Sequence, residues 1–385
     1  MTPPARLSAA IEIIDGILHG ESAELALTNW GRASRYAGSG DRNAVRDLVF
    51  AALRRKRSAA AAGGSMTGRG LILGIMRLQG TDPQAFFIGE GYAPTRPGPA
   101  DQSRLPTELE ALDCPDWLEQ PLRNALGDDF AAILQAMQSR ARIFLRVNLG
   151  KSSVNAAIEI LAKDGIAVLA DPACFTALEV LENHRKIKRS EAYVQGLVEL
   201  QDLSSQAVVL EFPRHDGQKV LDYCAGSGGK TLAMAALAKS QFFAHDHFTH
   251  RMKDLPDRAA RAGVNVTVLA DPAPFAPYDL VLCDVPCSGS GSWRRDPQGK
   301  WALTQNKLLE ICETQAEILD RAAQLVQPIG VLIYATCSLL REENEDQIAA
   351  FLQRHPDWRC SNAKRLPLSD RGDGFFVAHL RFNRG

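Results

Sequence analysis

The segment VLDYCAGSGGKTLAMAALA, residues 220 to 238, decides the fold of the second half of this chain. It begins with apolar residues typical of a short β-strand, continues as a glycine-rich turn and ends in an alanine-rich stretch typical of a helix. Gly226, Gly228 and Gly229 have no Cβ, so the backbone can turn sharply and approach a ligand closely. A GxxxxGK(S/T) phosphate loop is excluded because it needs glycine at position 224, where this chain has Cys224. The segment therefore indicates a nucleotide-type site, with a plain tight turn as the alternative.

Short apolar segments alternate with helical stretches from about residue 200 onward. The apolar segments are KVLDYC, QFFAHD, VTVLA, YDLVLCD and GVLIYATC, and several of the stretches between them are amphipathic or alanine-rich. This alternation predicts an α/β fold in which a parallel sheet is covered by helices on both faces. In Rossmann-like folds of this kind, ligands bind at the carboxyl edge of the sheet.

Acidic residues follow the predicted strands at that edge. Asp246 ends the strand after the glycine-rich turn, about 20 residues further on, where a carboxylate can accept hydrogen bonds from ribose hydroxyls. Asp271 and Asp284 end two later strands. Surface acids would be scattered, so this placement indicates a crevice that binds a nucleoside-like cofactor.

The first half of the chain is organised differently. Apolar residues at helical spacing predict helices around residues 7–18 and 45–53. The segment YAPTRPGPADQSRLP, residues 92 to 106, has the proline and glycine content of a linker. Beyond it, IFLRVNLGKSSVNAAIEILAKDGIAV is typical of strand, loop, helix and strand. We therefore predict an all-α domain at 1–105, a small helical and α/β subdomain at 106–200, and a Rossmann-like domain at 201–385.

Composition narrows the classes of function. The 385 residues carry a formal net charge of −1, so a nucleic-acid partner would have to be met by local basic patches. The run 54–57 is as consistent with a solvated helix end as with an RNA contact, whereas we favour phosphate contact for the segment 184–193.

No apolar run approaches the roughly 18 residues of a membrane span, and Glu12 and Asp15 argue against a signal peptide. Eight scattered cysteines without a CxxC pair indicate reduced thiols and a cytoplasmic location.

Two of the thiols are predicted at the same edge of the sheet. Cys287 and Cys337 come just after the strands that end at Asp284 and Thr336. A buried, inert cysteine is one alternative, and a metal site fails because no further ligand has suitable spacing. Beside a nucleoside-like cofactor, a thiolate that adds to C6 of cytosine makes C5 a nucleophile for an electrophilic methyl group. The C5 proton and the thiolate must then leave, and a second thiol can assist that release.

Six motifs give the sequence a resemblance to the Nop/Sun family of RNA cytosine-5 methyltransferases, most closely to its bacterial RsmB-like branch. They run in family order over residues 115–385, and they are DYCAGSGGK, DVPCSGSGSWRRDP, ATCSLLREENE, RVN at 146–148, QDLSSQ at 201–206 and DGFFVAHL at 373–380. The Pro-Cys and Thr-Cys pair is the most specific part. The helical N-terminus resembles the NusB-type RNA-binding domain of this branch, mainly through DRNAVRDLVFAALR.

The resemblance implies roles for individual residues. Cys337 would be the nucleophile, Cys287 would assist product release, and Asp284 and Lys230 would touch the target base. S-adenosyl-L-methionine would be held by a set comprising Cys224, Ala225, Gly226, Ser227, Gly228, Gly229, Lys230, Asp246, Asp271 and Asp284. The family usually has Ala-Pro where this chain has Gly226-Ser227, and we expect cofactor binding to survive this departure. No metal, membrane or obligate protein partner is implied.

The resemblance also favours RNA as the partner, with small-subunit ribosomal RNA ahead of transfer RNA because of the NusB-like region. A DNA cytosine-5 methyltransferase would use the Pro-Cys cysteine as its nucleophile and would not need the Thr-Cys. A non-catalytic RNA-binding or assembly factor is the remaining alternative. The presence of both thiols, Lys230 and Asp284 argues against it.

Overall fold

The computed structural model of the protein describes residues 1–383, which form two compact units. The first unit contains Met1–Arg140 and Trp293–Leu303, and the second contains Ala141–Ser292 and the chain from Thr304 onward. Within the described residues, no helix has both the length and the apolar character needed to cross a membrane.

The first unit is built from helices. They are α1 (Pro3–Leu18), α2 (Ala23–Ala33), α3 (Ser39–Arg54), α4 (Lys56–Gly63), α5 (Gly68–Leu78), α6 (Glu108–Ala111), α7 (Glu119–Leu126), α8 (Phe130–Met137) and α14 (Pro297–Ala302). Helices α1, α3 and α5 share one core, in which Ile14, Val45, Val49 and Leu71 are fully buried. The two early helices predicted from apolar spacing are therefore present as α1 and α3.

The chain enters the first unit a second time directly after the Pro-Cys segment. Trp293, Arg294 and Lys300 of this segment are almost completely buried, with exposures of 2%, 1% and 2%. Lys300 Nζ donates a hydrogen bond of 2.8 Å to the carbonyl of Asp113, and Trp301 Nε1 donates one of 2.7 Å to the carbonyl of Leu53. These contacts anchor the segment in the helical unit.

The second unit begins with a small four-stranded sheet. Its elements are β1 (Phe144–Val147), α9 (Val154–Lys163), β2 (Val168–Ala170), β3 (Ala177–Val180), α10 (Glu191–Val194) and β4 (Val198–Leu200). The strand order is β2-β3-β1-β4, and each neighbouring pair is antiparallel. The predicted strand, loop, helix and strand correspond to β1, α9 and β2, whereas β3 and β4 were not predicted.

The second unit continues with a seven-stranded sheet of order β10-β11-β9-β8-β5-β6-β7. Its elements are α11 (Leu203–Leu210), β5 (Lys219–Asp222), α12 (Gly229–Ala235), β6 (Gln241–Ala244), α13 (Leu255–Ala262), β7 (Val266–Val268), β8 (Tyr278–Asp284), α15 (Gln305–Ala323), β9 (Val326–Thr336), α16 (Glu345–Arg354), β10 (Trp358–Leu366) and β11 (Phe375–Phe382). Strands β5 to β9 pair in parallel. The predicted Rossmann-like α/β class, preceded by a small α/β subdomain and helices, is confirmed.

Two features of this sheet differ from the sequence prediction. Strands β10 and β11 form an antiparallel pair and extend the sheet beyond β9, so the sheet is mixed and not wholly parallel. Strands β6 and β7 end together at the paired residues Ala244 and Val268, because their ladder stops there. Asp246 and Asp271 therefore lie two and three residues beyond the ends of their strands, in the loops above the sheet edge.

The two faces of the large sheet have separate cores because side chains alternate along each strand. Val281, Leu332 and Tyr334 lie on one face and pack with Leu319 of α15 and Phe351 of α16. Their neighbours in sequence point to the other face, where α11 and α12 cover them. This double covering fixes the strands so that their carboxyl ends present loops at one edge.

Candidate active site

The glycine-rich turn between β5 and α12 is shaped by left-handed backbone angles. Gly226 has φ +51° and Gly228 has φ +80°. A Cβ on Gly228 would lie 2.1 Å from Cδ1 of Leu255, a fully buried side chain of α13. Position 228 therefore requires glycine for its conformation and for its close packing.

Asp246 connects the turn to the loop after β6. Its Oδ2 accepts the N–H of Gly226 at 2.9 Å, and its Oδ1 accepts the N–H of Phe248 at 2.9 Å. The residue is only 2% exposed, and the guanidinium of Arg251 lies 3.6 Å from Oδ2. A carboxylate has about four acceptor positions, so Asp246 keeps acceptor capacity for ligand hydroxyls.

A cavity of about 350 Å³ opens beside this carboxylate. Its volume falls within the roughly 300–1,000 Å³ of typical small-molecule sites. It is lined by Tyr223, Cys224, His245, Asp246, His247, Phe248, Arg251, Pro286, Thr314, Glu317, Ile318 and Arg321. Aromatic and aliphatic walls, together with a buried carboxylate, fit a nucleoside with free hydroxyls.

The predicted cofactor residues are not all placed at this cavity. Cys224 and Asp246 line it, and burial raises the pKa of Cys224 well above its usual value, so this thiol stays neutral. Asp271 is exposed, and its Oδ1 accepts the N–H of Ala273 at 3.0 Å. Asp271 thus caps a short turn after β7 and lies outside the set of lining residues.

The structure brings the two predicted catalytic thiols into contact. Cys287 and Cys337 are free thiols whose Sγ atoms lie 3.4 Å apart. They follow β8 and β9, which are parallel neighbours and pair Asp284 with Ala335 at their ends. Because both strands stop at the same level, the loops that follow them place both thiols at one point of the sheet edge.

The surroundings shift the pKa values of the two thiols in opposite directions. The hydrogen bond from Cys287 lowers the pKa of Cys337, and the nearby ammonium of Lys230 also lowers it, although burial and Asp284 act the other way. The same hydrogen bond, together with burial and the neighbouring charges of Cys337 and Glu343, raises the pKa of Cys287 well above its usual value. Cys337 is therefore the thiol that ionises first.

Lys230 and Asp284 form an ion pair beside Cys337. Nζ of Lys230 lies 2.7 Å from Oδ2 of Asp284, and the Lys230 side chain is 10% exposed. Burial disfavours the charged ammonium, but the attraction of Asp284 and its hydrogen bond outweigh this and raise the pKa of Lys230. The same Nζ lies 5.0 Å from the ring centroid of Phe375 on β11. The ammonium is thus fixed and charged next to the nucleophile candidate.

A buried acid at the end of β5 was not assigned a role by sequence reasoning. Asp222 is 1% exposed, and its Oδ2 accepts a hydrogen bond of 2.6 Å from Thr231 Oγ1 on α12. Burial raises the pKa of this carboxyl to about 7. Its only sequence signal was its position at a strand end, shared with the other acids of this edge.

Glu343 is a second residue that sequence reasoning missed, and it joins the loops that carry the two thiols. It is fully buried and accepts the N–H of Ser288 at 2.7 Å and the hydroxyls of Ser288 and Ser338 at 2.5 Å each. Gln315 Nε2 on α15 donates to it at 3.1 Å. Ser288 follows Cys287 and Ser338 follows Cys337, so one carboxylate fixes both loops.

Close backbone contacts complete the arrangement of these loops. The N–H of Gly291 donates to the carbonyl of Cys337 at 2.8 Å, and the N–H of Gly374 donates to the carbonyl of Gly291 at 2.9 Å. A Cβ on Gly291 would lie 2.1 Å from the carbonyl oxygen of Gly374. The segment before β11 therefore packs directly on the Pro-Cys loop. This contact places the DGFF motif, residues 373–376, next to the loop that carries Cys287.

The RVN and QDLSSQ motifs support the start of α12. Arg146 is 3% exposed, and its guanidinium donates to the carbonyl of Gly229 at 2.8 Å and to Gln201 Oε1. Burial lowers the pKa of Arg146 to about 10. Asn148 donates to the carbonyls of Gly196 and Ala262 at 3.0 Å and 2.9 Å. The small sheet thus holds the helical turn that carries Lys230.

The predicted basic patches differ in exposure. In the run 54–57, Arg54 donates to the carbonyl of Arg294 at 2.7 Å, and Arg57 donates to Asp116 and to the carbonyl of Cys114. Arg294 itself is buried within the first unit. The segment 184–189 forms a short 3₁₀-helix whose lysines and arginines are exposed. Only the second patch presents most of its charges to solvent.

Comparisons with known proteins identify relatives of this chain. A family model described as 16S rRNA methyltransferase RsmB/F matches residues 207–381, and one for the ferredoxin-like domain of RsmF/B-like methyltransferases matches residues 114–195. The ribosomal RNA small subunit methyltransferase B of Salmonella typhi is 34% identical over 282 residues, which cover 69% of this chain and 66% of that protein. The alignment thus spans just under two thirds of the relative.

Solved structures extend the likeness to the whole fold and lead to a family assignment. The crystal structure of PH0851 superposes with a TM-score of 0.76 at 25% identity and covers 99% of both chains. NSun6 from Pyrococcus horikoshii with SFG has a TM-score of 0.63 at 19% identity, covering 70% of this chain and 99% of that one, and shows a shared fold. The sequence and structural matches agree, and the chain belongs to the RsmB/F family of S-adenosylmethionine-dependent RNA cytosine-5 methyltransferases.

Proposed function

We propose that this protein methylates C5 of a cytosine in small-subunit ribosomal RNA. The observation that carries the proposal is the contact of two inequivalent thiols, Cys337 and Cys287, 3.4 Å apart at the edge of a Rossmann-like sheet. A merely structural pair of cysteines would not need one member with a lowered pKa beside a charged lysine. The ribosomal target is supported by the activity named for the matched family and relative.

Cys337 is the proposed nucleophile. Its thiolate adds to C6 of the cytosine, the π pair of the C5–C6 double bond shifts toward C4 and N3, and N3 takes up a proton. The resulting enamine has a nucleophilic C5. Lys230 and Asp284 lie next to this thiol and can hold the ring and the proton that it takes up. The glycine-rich turn and Asp246 would hold S-adenosylmethionine, which would supply the electrophilic methyl group.

Cys287 is the proposed helper in product release. After methylation, the proton on C5 and the proton that the ring took up pass to solvent, the C5–C6 double bond reforms, and the bond between Cys337 and C6 breaks with its electron pair returning to the sulfur. The raised pKa of Cys287 keeps this thiol protonated while Cys337 is ionised, so it can donate a hydrogen bond to the leaving thiolate. Roles of acid and nucleophile are thus divided between two chemically identical side chains.

RNA contacts are proposed for the helical residues 1–105 and for the basic segment 184–189. The exposed lysines and arginines of that segment can neutralise phosphates and release counterions. All eight cysteines are free thiols, which supports a reducing compartment such as the cytoplasm as the site of action.

Bisulfite sequencing of cellular RNA with and without the gene tests the proposal. We expect one or more cytosines of small-subunit ribosomal RNA to lose protection when the gene is absent, and to regain it with the wild type but not with Cys337→Ala. Loss of protection only in transfer RNA would replace the proposed substrate by the alternative one. Unchanged protection in all RNA would favour a non-catalytic RNA-binding or assembly factor.

A further inference from the structure

Ser227, in the middle of the glycine-rich turn, is held by an arginine from the neighbouring helix. Arg258 of α13 donates from Nη1 to the carbonyl of Ser227 at 2.5 Å and to the Ser227 hydroxyl at 2.9 Å. One guanidinium nitrogen therefore holds both polar groups of the residue that separates Gly226 from Gly228. None of the cofactor residues implied by the family resemblance includes this arginine.

Arg258 is itself fixed by a buried acid of the small sheet. Its Nη2 lies 3.0 Å from Oε2 of Glu199, whose side chain is 4% exposed. Arg261, one turn further along α13, pairs with the other carboxylate oxygen of Glu199. Across the β1–β4 ladder, Glu199 is paired with Arg146, which donates to the carbonyl of Gly229. The turn is thus held from both sides by residues attached to the small sheet.

A turn of this composition needs such support. Three of the four residues 226–229 are glycines, and glycine loses more conformational freedom on ordering than any other residue. If the turn were mobile before binding, part of the binding free energy would be used to order it. Two hydrogen bonds from a guanidinium that is fixed by a buried carboxylate restrict the turn beforehand.

We propose that Arg258 is a positioning residue that pre-orders the 226–229 turn for S-adenosylmethionine. This inference rests on the proposed function, because it assumes that the turn binds the methyl donor. Arg258 touches neither of the two thiols nor the ion pair beside them, so its effect should be confined to cofactor affinity. The pairing of Arg261 with Glu199 survives in an Arg258→Ala variant, so removal of Arg258 does not leave a buried carboxylate without a partner.

The test compares Arg258→Ala with Arg261→Ala, a matched control that removes the same charge from the same carboxylate but does not touch the turn. Calorimetric titration with S-adenosylhomocysteine should give a Kd about tenfold higher for Arg258→Ala, the expected effect of losing charged hydrogen bonds. For Arg261→Ala the Kd should stay within about twofold. Without ligand, amide hydrogen exchange at residues 226–229 should be faster only in Arg258→Ala. At saturating methyl donor its kcat should equal that of the wild type.

Several results would overturn the inference. One is an unchanged Kd in Arg258→Ala, and another is an equal loss in both variants, which would mean that the Glu199 cluster acts only through stability. If Arg258→Ala does not fold, Arg258→Lys and Ser227→Ala replace it in the comparison. Each should give a smaller rise in Kd than the one expected for Arg258→Ala. A Kd that rises in neither variant would contradict the inference. Failure of the wild type to bind S-adenosylhomocysteine would instead refute the proposed function.

Discussion

Replacing Cys287 by alanine or by serine separates its two proposed effects on Cys337. In the wild type, the two Sγ atoms lie 3.4 Å apart. Once Cys337 is ionised, Cys287 is the hydrogen-bond donor of the pair and so favours the thiolate. Alanine removes the donor, whereas serine keeps a hydroxyl donor of similar size. Alanine has nothing to donate to the leaving thiolate, and the hydroxyl of serine is a much weaker acid than a thiol, so we expect slow product release in both variants. We therefore expect both variants to accumulate a covalent protein–RNA adduct, but at different rates.

The expected difference in the rate of adduct formation between Cys287→Ala and Cys287→Ser follows from the loss of one hydrogen bond. Hydrogen bonds to charged groups contribute about 1.5–3 kcal/mol, and a thiol is a weak donor, so we take about 1.5 kcal/mol. This corresponds to a roughly tenfold smaller thiolate population in Cys287→Ala at a pH below the pKa of Cys337. Because the thiolate is the attacking form, adduct formation rises with pH until Cys337 is fully ionised. Loss of the donor raises the pKa of Cys337, so the rising part of the profile moves to higher pH in Cys287→Ala and not in Cys287→Ser.

The assay measures the initial rate of adduct formation across a pH series. Protein, methyl donor and a small-subunit ribosomal RNA fragment are mixed, quenched in denaturant and separated on a denaturing gel, where the adduct migrates slowly. Cys337→Ala is the control and should form no adduct at any pH. At high pH the two Cys287 variants should converge, because Cys337 is then ionised in both.

Two results would refute this reasoning. Identical pH profiles for Cys287→Ala and Cys287→Ser would show that the hydrogen bond does not set the ionisation of Cys337. An adduct in Cys337→Ala, with none in either Cys287 variant, would reverse the roles and favour the mechanism of DNA cytosine-5 methyltransferases.

Three further predictions concern the cofactor cavity, the loops that carry the thiols and the basic segment 184–189. Asp246→Ala should weaken S-adenosylhomocysteine binding about tenfold to a hundredfold, measured by calorimetry, because a carboxylate with charged hydrogen bonds is lost; an unchanged Kd would exclude its cofactor role. Glu343→Gln should lower the free energy of unfolding by about 2 kcal/mol in urea titrations and slow adduct formation, since two hydroxyls lose a charged acceptor. The exposed Asp346→Asn removes the same charge and should change stability by less than about 0.5 kcal/mol, and equal effects would contradict the positioning role. Replacing Lys186 and Lys188 together by alanine should reduce the salt dependence of RNA binding in filter-binding titrations, and an unchanged salt slope would identify them as solvated surface.

The sheet and the position of its thiols could be predicted because they depend on local pattern. Apolar runs fix the strands, and the residues that follow them must share one edge when the strands are parallel. For that reason Asp284 and Cys287 could be placed beside Cys337 from sequence order alone. Asp271 follows β7 at the same end of the sheet, but the β6–β7 ladder stops at Val268, and three further residues carry its side chain into an exposed turn. Its cofactor role therefore stays a prediction.

The remaining features depend on contacts between distant segments. Glu342, Glu343 and Glu345 look equivalent in the sequence, yet only Glu343 is fully buried and reaches both thiol loops. The sequence left the run 54–57 open between a solvated helix end and an RNA contact. In the structure, Arg54 and Arg57 donate hydrogen bonds to carbonyls and to an aspartate of their own unit. Which polar side chain is buried is decided by packing, and a single sequence does not contain that information.

The division of labour between two identical side chains has a structural cause. Cys337 lies beside the ammonium of Lys230, which favours a thiolate, and Cys287 lies beside the carboxylate of Glu343, which disfavours one. The Glu343 carboxylate also fixes the two loops. The same carboxylate therefore keeps the two thiols together and contributes to the difference between their pKa values. A pair of cysteines in symmetric surroundings would share one proton and would provide neither a defined nucleophile nor a defined acid. Because Lys230 is buried beside Cys337 and Glu343 is buried beside Cys287, Cys337 is the proposed nucleophile and Cys287 the proposed acid.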